Sequence, residues 1–146
     1  MSDLVILVDI AGRKCALDAD DVASVIEIDR TTPVPRAPGH IVGLTALRSQ
    51  ALTVIDCRLA IDNADQPPAA CERSPVVKVD GHSYALLVDA VHDVATARTE
   101  PSVIEGGFGE NWNDAAQGMV ETDLGPALLI NIASLVRGPV LRTEAA

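Results

Sequence analysis

VPRAPGHIVGLTALRSQALTVIDCR, residues 34 to 58, decides the fold class. With Thr31 to Pro33 ahead of it, its first part carries Pro33, Pro35 and Pro38. Proline lacks the N–H that a sheet ladder needs, so 31–39 reads as a loop. Two short apolar runs follow, IVGLTAL (41–47) and ALTVI (51–55), separated only by Arg48, Ser49 and Gln50. Runs of that length bounded by turn residues are strands, and this spacing makes them a hairpin. Asp56 stands where it can cap one helical turn over CRLAI. Loop, strand, tight turn, strand and a capped helical turn all fit in fewer than 35 residues, too few for a helix-alternating sheet.

The same rhythm runs outward in both directions. LVILVDI (4–10) meets a turn at Gly12 and resumes as KCAL. Asp18 can cap a turn over Ala19 to Val22, and ASVIEID (23–29) reads as the next strand. Downstream, PVVKV and SYALLVDAV flank the turn Asp80-Gly81-His82, and VHDVATA continues as strand. GMVET and ALLINI flank DLGP as a third hairpin, and Asn131 can cap IASLV. Nine or ten strands with two or three short helices is an all-β barrel or sandwich pattern. NADQPPAACERS (63–74) and EGGFGENWNDAAQ (105–117) read as loops, and 139–146 as a disordered tail.

Composition narrows the function. At 146 residues the chain suits one domain. It is 48% hydrophobic with a mean hydropathy of +0.23, enough apolar mass for a core. Only 2% is aromatic, namely Tyr84, Phe108 and Trp112, so that core is aliphatic and offers no stacking platform for single-stranded nucleic acid. A net charge of −10, with eleven scattered basic residues, repels phosphate backbones and anionic lipid. The opening apolar run is short and interrupted by Asp9, which fits neither a signal peptide nor a membrane span. Cys15, Cys57 and Cys71 are odd in number and lack CxxC spacing, which points to free thiols in a reducing cytoplasm.

Catalytic chemistry is not legible. His40, His82 and His92 have no metal-ligand spacing around them; two fall in expected turns and His92 on a strand's wet face. GGFG (106–109) lacks the GK[ST] ending of a phosphate loop, and there is no GxSxG elbow. Asp18, Asp20 and Asp21 read as a solvated helix-start cluster. No catalytic residue, cofactor or metal is expected.

Four blocks in order resemble the CheW family of chemotaxis coupling proteins. LVILVDIAGRKCALDADDVASVIEI (4–28) is similar to its opening strands, ending AL-D-I-x-x-V-x-E-V. Residues 34–58 resemble VPNAP-x-x-x-x-G-V-x-N-L-R-G-x-x-L-P-V-I-D-L-R, the most specific block. YALLVDAVHDV (84–94) is similar to G-L-L-V-D-x-V-x-x-V, and GMVETDLGPALLINIASLV (118–136) to the terminal hairpin and helix. The resemblance implies one domain, 1–138, of two intertwined five-stranded SH3-like β-barrels. One would be roughly 30–79, the other the N-terminal strands with 80–136.

It also implies a cytoplasmic, non-catalytic adaptor between a chemoreceptor cytoplasmic tip and the regulatory domain of a CheA-like histidine kinase. Such an adaptor would come near the membrane only through receptor arrays, without inserting. The kinase would meet mainly the barrel holding 41–79. The receptor's helical hairpin would enter a groove between the barrels, lined by Ala19, Val22 and Ser24 on one wall and Gly43, Leu47 and Arg48 on or behind the other, with Ala85 also matching a family site position. Val22 and Leu47 equally suit plain core packing. Departures are Ser24 for the family's acid, Ser49 and Ala85 for glycines, and Thr53 for proline. The family's acid sits close to the equivalent of Arg48, so Arg48 is expected to be less constrained here. Two alternatives remain: a regulator that binds the kinase without receptor coupling, and a ligand-binding or enzymatic barrel using Phe108 and Trp112 in the 105–117 loop.

Overall fold

The computed structural model describes residues 3–28, 30–61, 73–103, 112 and 114–138. Ten strands form in chain order: β1 (Leu4–Ile10), β2 (Arg13–Asp18), β3 (Val22–Glu27), β4 (Ile41–Leu47), β5 (Gln50–Asp56), β6 (Arg73–Val79), β7 (His82–Leu87), β8 (Ala90–Thr96), β9 (Ala116–Thr122) and β10 (Gly125–Ile130). Two short helices, α1 (Cys57–Ala60) and α2 (Ile132–Arg137), follow β5 and β10, and a single 3-10 turn spans Ala19–Asp21. All three helical segments start where the caps were read. Asp18 accepts from the Asp20 N–H, Asp56 from those of Arg58 and Leu59, and Asn131 from that of Ser134.

The strands form two five-stranded sheets in the orders β8-β1-β2-β10-β9 and β3-β6-β7-β5-β4. These are one topology built twice. Each sheet takes a hairpin from one half of the chain (β1-β2 or β6-β7) and three strands from the other half (β8-β9-β10 or β3-β4-β5). Each also contains one parallel pair, β2 with β10 and β5 with β7. The halves are therefore intertwined. Sheet membership changes between Asp18 and Val22 and between Leu87 and Ala90, so Val22–Glu27 and His82–Leu87 join the sheet holding 41–79. The sequence reading, which divided the chain near 30 and 79, gave both β3 and β7 to the wrong barrel, because strand pairing is not local in sequence.

Each sheet closes on itself by the same device. After β3 the chain swings round until Thr32 exchanges two 2.8 Å backbone hydrogen bonds with Leu44 in β4. After β8 it swings round until Ser102 does the same with Met119 in β9, at 3.0 and 2.7 Å. A glycine sits beside each closure. A Cβ on Gly43 would lie 2.2 Å from the Thr32 carbonyl oxygen, and one on Gly118 would lie 2.9 Å from Pro101 and from the Ser102 nitrogen. No larger residue admits the returning strand so closely. We call the β3–β7 unit the first barrel and the other the second barrel.

Burial explains the unbroken apolar runs. Leu52, Val54, Val76 and Ala85 fill the first barrel; Val5, Leu7, Ala16, Ala95, Val120, Ala127 and Leu129 fill the second. The alternate residues of the same strands, among them Val8, Cys15, Leu17, Ile55, Val77, Leu86, Leu128 and Ile130, meet in a third and larger core between the barrels, closed by Leu135 of α2. A strand buried on both faces has no polar alternation to show. Trp112 is part of this joint core, 5% exposed, with the Arg13 guanidinium 5.0 Å above its ring. Its side chain is thus packed into this core; Phe108 lies outside the described residues.

Candidate functional site

The seven positions assigned to receptor binding divide by burial. Ser24, Val76, Ala85, Val54 and Gly43 form one cross-strand row through the first barrel. Ala85 is fully buried in that row and fills the barrel, and Gly43, buried under Thr32 and so behind the wall, permits the barrel's closure. Ser24, at the open end of the row, is exposed. Val22 is half-buried against the joint core, Ala19 is half-buried in the 3-10 turn, and Leu47 is half-buried against the first barrel's interior.

Arg48 is the first residue of the β4–β5 turn, exposed and at φ 51°, with Ser49 at φ 69°. Leu47 pairs with Gln50, so the loop is two residues long and both adopt left-handed conformations. Glycine is absent from a turn that favours it, so the hairpin is held by its strands. Thr32 pairs with Leu44, and the Thr45 hydroxyl donates to the Arg30 carbonyl at 2.7 Å. Among the described residues, no side-chain hydrogen bond or ion pair is recorded for Ser24 or Arg48.

A cleft of about 240 Å³ opens where the barrels meet, and none of the seven assigned residues lines it. Asp21, Lys78 and Val79 line one wall, and Gln117, Asn131, Ile132 and Ala133 the other. Only its edge was legible in the sequence. Gln117 is positioned by donating to the Ile130 carbonyl at 3.3 Å, and Asn131 by its capping bond to α2. Desolvation raises the Asp21 carboxyl above its ordinary range, and the neighbouring charges of Asp18 and Asp20 add to this. Polar anchors around a shallow apolar floor of Val79 and Ile132 suit a helical segment better than a small molecule.

Among the described residues, the histidines and thiols lie apart from one another. His40 lies in a turn, as expected, but is buried, its Nε2 2.9 Å from the Val136 carbonyl oxygen at the end of α2, and its ring blocks any Cβ at Gly138. His92 Nε2 lies 2.9 Å from Asp9 on the second barrel's surface. Among the described residues, no three His, Cys, Asp or Glu side chains are placed to share a metal ion. Burial pushes the Cys15 thiol up to about 12 and raises that of Cys57 as well, so both are poor nucleophiles near neutral pH. Among the described residues, no helix is long and apolar enough to cross a membrane.

Comparison with known proteins is consistent with this architecture. A family model described as the CheW-like domain matches residues 4–139. The chemotaxis protein CheW of Rhizobium meliloti (strain 1021) is 32% identical over 65 residues, which are 44% of this chain and 42% of that protein. The match thus spans less than half of the relative's length. The crystal structure of the scaffolding protein TtCheW from Thermoanaerobacter tengcongensis aligns with a TM-score of 0.74 at 24% identity, covering 90% of this chain and 86% of that one. That likeness is one of fold.

Proposed function

The chain belongs to the CheW-like domain family, and from that premise we propose that it is a non-catalytic cytoplasmic adaptor coupling chemoreceptors to a CheA-like histidine kinase. The observation that carries this reading is the extent of the family match, which runs through both barrels and the joint core between them. An adaptor has to hold two partners in a fixed relation. Two closed barrels welded through one aliphatic core can do so, because a close-packed interior transmits position instead of absorbing it.

In this reading the receptor's helical hairpin lies along the inter-barrel cleft. Val22 and Leu47 contribute apolar contact, with Ala19 and Ser24 at the rim. Arg48 extends along the wall and presents its guanidinium. The kinase's regulatory domain meets the outer end of the first barrel, within residues 41–79. Gly43 and Ala85 act from beneath, by setting the shape of the barrel wall.

Capture of each partner by the purified chain tests the proposal: a receptor cytoplasmic fragment in one experiment, a kinase regulatory domain in the other. The wild-type chain retains both. Arg48→Ala keeps the fold and weakens receptor capture about tenfold, near 1.4 kcal/mol, while kinase capture is unchanged. Ser24→Glu strengthens receptor capture by giving Arg48 an acidic partner. Kinase capture without receptor capture by the wild type would favour the kinase-only regulator, and capture of neither would end the adaptor reading.

A further inference from the structure

The two barrels differ in what fills their open ends. Their shared ladder fixes a position-by-position match: Leu129 beside Ala16 in the second barrel answers Val54 beside Ala85 in the first. Followed outward, Ser74 matches Val5, and their strand partners Ile26 and Ala95 match in turn. By the same register Ile28 matches Ala97, Leu47 matches Thr122 and Leu87 matches Asp18. Ile26, Ile28, Leu47 and Leu87 pack on the first barrel's interior. The second barrel carries alanine, alanine, threonine and aspartate in their places.

With those four aliphatic side chains missing, the second barrel has a cavity of about 190 Å³ at this end. Buried Val5, Val120 and Leu129, with half-buried Ala97, make its apolar floor. Asp3, Asp18, Arg98 and Glu100 stand around it. The backbone holds this rim in place: the Ala97 N–H donates to the Asp3 carbonyl and the Arg98 N–H to the Glu121 carbonyl, both at 2.7 Å. An apolar cavity of ~150 Å³ holds a benzene-sized body, so this one takes an aliphatic group of about five carbons. Three carboxylates against one guanidinium make the rim attractive to a cation.

We propose that the open end of the second barrel binds a small alkylammonium ion. Its aliphatic body fills the cavity against Val5, Val120 and Leu129, and its ammonium lies among the carboxylates of Asp3, Asp18 and Glu100. An ammonium brings three donors and an ionised carboxylate only accepts, so the contacts are charge-assisted hydrogen bonds. The floor selects for size and the rim for the sign of the charge. A lysine side chain entering tip first would place its charge on the apolar floor, so the ligand is a free small amine. The site involves neither a receptor nor a kinase, so it stands or falls independently of the adaptor reading.

Backbone amide NMR of the isotope-labelled full-length chain, titrated with isopentylamine at neutral pH, tests it. Saturable shifts centred on Val5, Ala97 and Val120 give a Kd on the order of 1 mM, as befits so small a ligand. Isopentanol has the same body without the charge and binds about tenfold more weakly; isovalerate, of opposite charge, does not bind where the amine saturates. Ala97→Ile supplies the isoleucine that the first barrel carries at this place, and it removes binding. Asp3→Asn with Glu100→Gln, at two exposed positions, weakens the amine about tenfold and leaves the alcohol unchanged. No saturable shift with isopentylamine overturns the proposal. So do equal affinities for amine and alcohol, shifts of the same size around Ile28 and Leu47, or a folded Ala97→Ile variant that binds as the wild type does. If Ala97→Ile does not fold, the exposed rim variant decides, and an unchanged affinity for the amine overturns the proposal.

Discussion

The first and second barrels solve one closing problem with unequal tolerance. Each has a strand that must return beside β4 or β9, and each leaves room for it with a glycine. At Gly43 the returning backbone lies under the missing Cβ at 2.2 Å, against a carbonyl oxygen that cannot turn aside; at Gly118 the nearest atoms stand at 2.9 Å. The hairpin turns differ in the opposite sense. The β9–β10 turn puts its one left-handed residue at Gly125, whereas the β4–β5 turn asks left-handed conformations of Arg48 and Ser49. The first barrel is thus the tighter and more strained copy. Strain tends to be retained where a surface is used, and this is the barrel to which Arg48 and the kinase-facing edge are assigned.

The largest effect expected from this contrast is at the closures. Gly43→Ala forces Thr32 away from Leu44, loses their two hydrogen bonds and opens the first barrel, at a cost of about 3 kcal/mol or more. Gly118→Ala meets a softer contact in the second barrel and costs about 2 kcal/mol or less. Chemical denaturation of the two variants checks the order. Equal losses would mean that the barrels close with equal tolerance.

The turns come next. Ser49→Gly relieves one left-handed residue, which costs an L-amino acid roughly 1–2 kcal/mol, and gives part of that back in unfolded-chain entropy. A net stabilisation of about 0.5–1 kcal/mol follows, read as a higher denaturation midpoint at unchanged slope. Leu124→Gly, at the matching turn of the second barrel, has no such strain to relieve and is neutral or destabilising. A gain at Leu124 as large as that at Ser49 would remove the distinction.

Much of this fold was legible because strands and caps are local. Short apolar runs, the Asp80-Gly81 turn and the capping residues Asp18, Asp56 and Asn131 each speak within a few residues, and the structure matches them. Pairing is not local. Nothing near Cys15 announces its parallel partner Leu128, and nothing near Val54 announces Ala85. The break at Val88-Asp89 was missed because it falls inside a run read as one strand, SYALLVDAV, with only Asp89 to mark it. The site was legible only in part, for the same reason. Arg48 could be read from its turn, but Lys78, Gln117 and Asn131 converge on one cleft from three distant segments. Ala85 matched a family position, and family position says nothing of whether a side chain points inward.

The smallest effect separates the two crossovers, where the chain passes from one barrel to the other. The first runs through Asp18, Asp20 and Asp21; the second has one carboxylate, Asp89, which accepts a hydrogen bond from the Gly12 N–H at 3.3 Å. At the first, desolvation and then the like charges of Asp18 and Asp20 raise the Asp21 carboxyl. For an acid whose folded value is raised, the unfolded chain ionises more readily, so the ionised form costs stability at every pH above that folded value. The cost fades as pH falls through the raised value and is gone below the ordinary aspartate range near ~4. Asp21→Asn therefore stabilises at neutral pH, by only about 0.3 kcal/mol because the group is largely solvated. The gain shrinks as pH is lowered from ~6 towards ~4. Asp89→Asn weakens an accepted hydrogen bond and gives no gain. Thermal melts of both variants at the two pH values decide it. A stabilisation by Asp21→Asn that grows on acidification would mean the carboxylate is paired, not crowded, where the barrels meet.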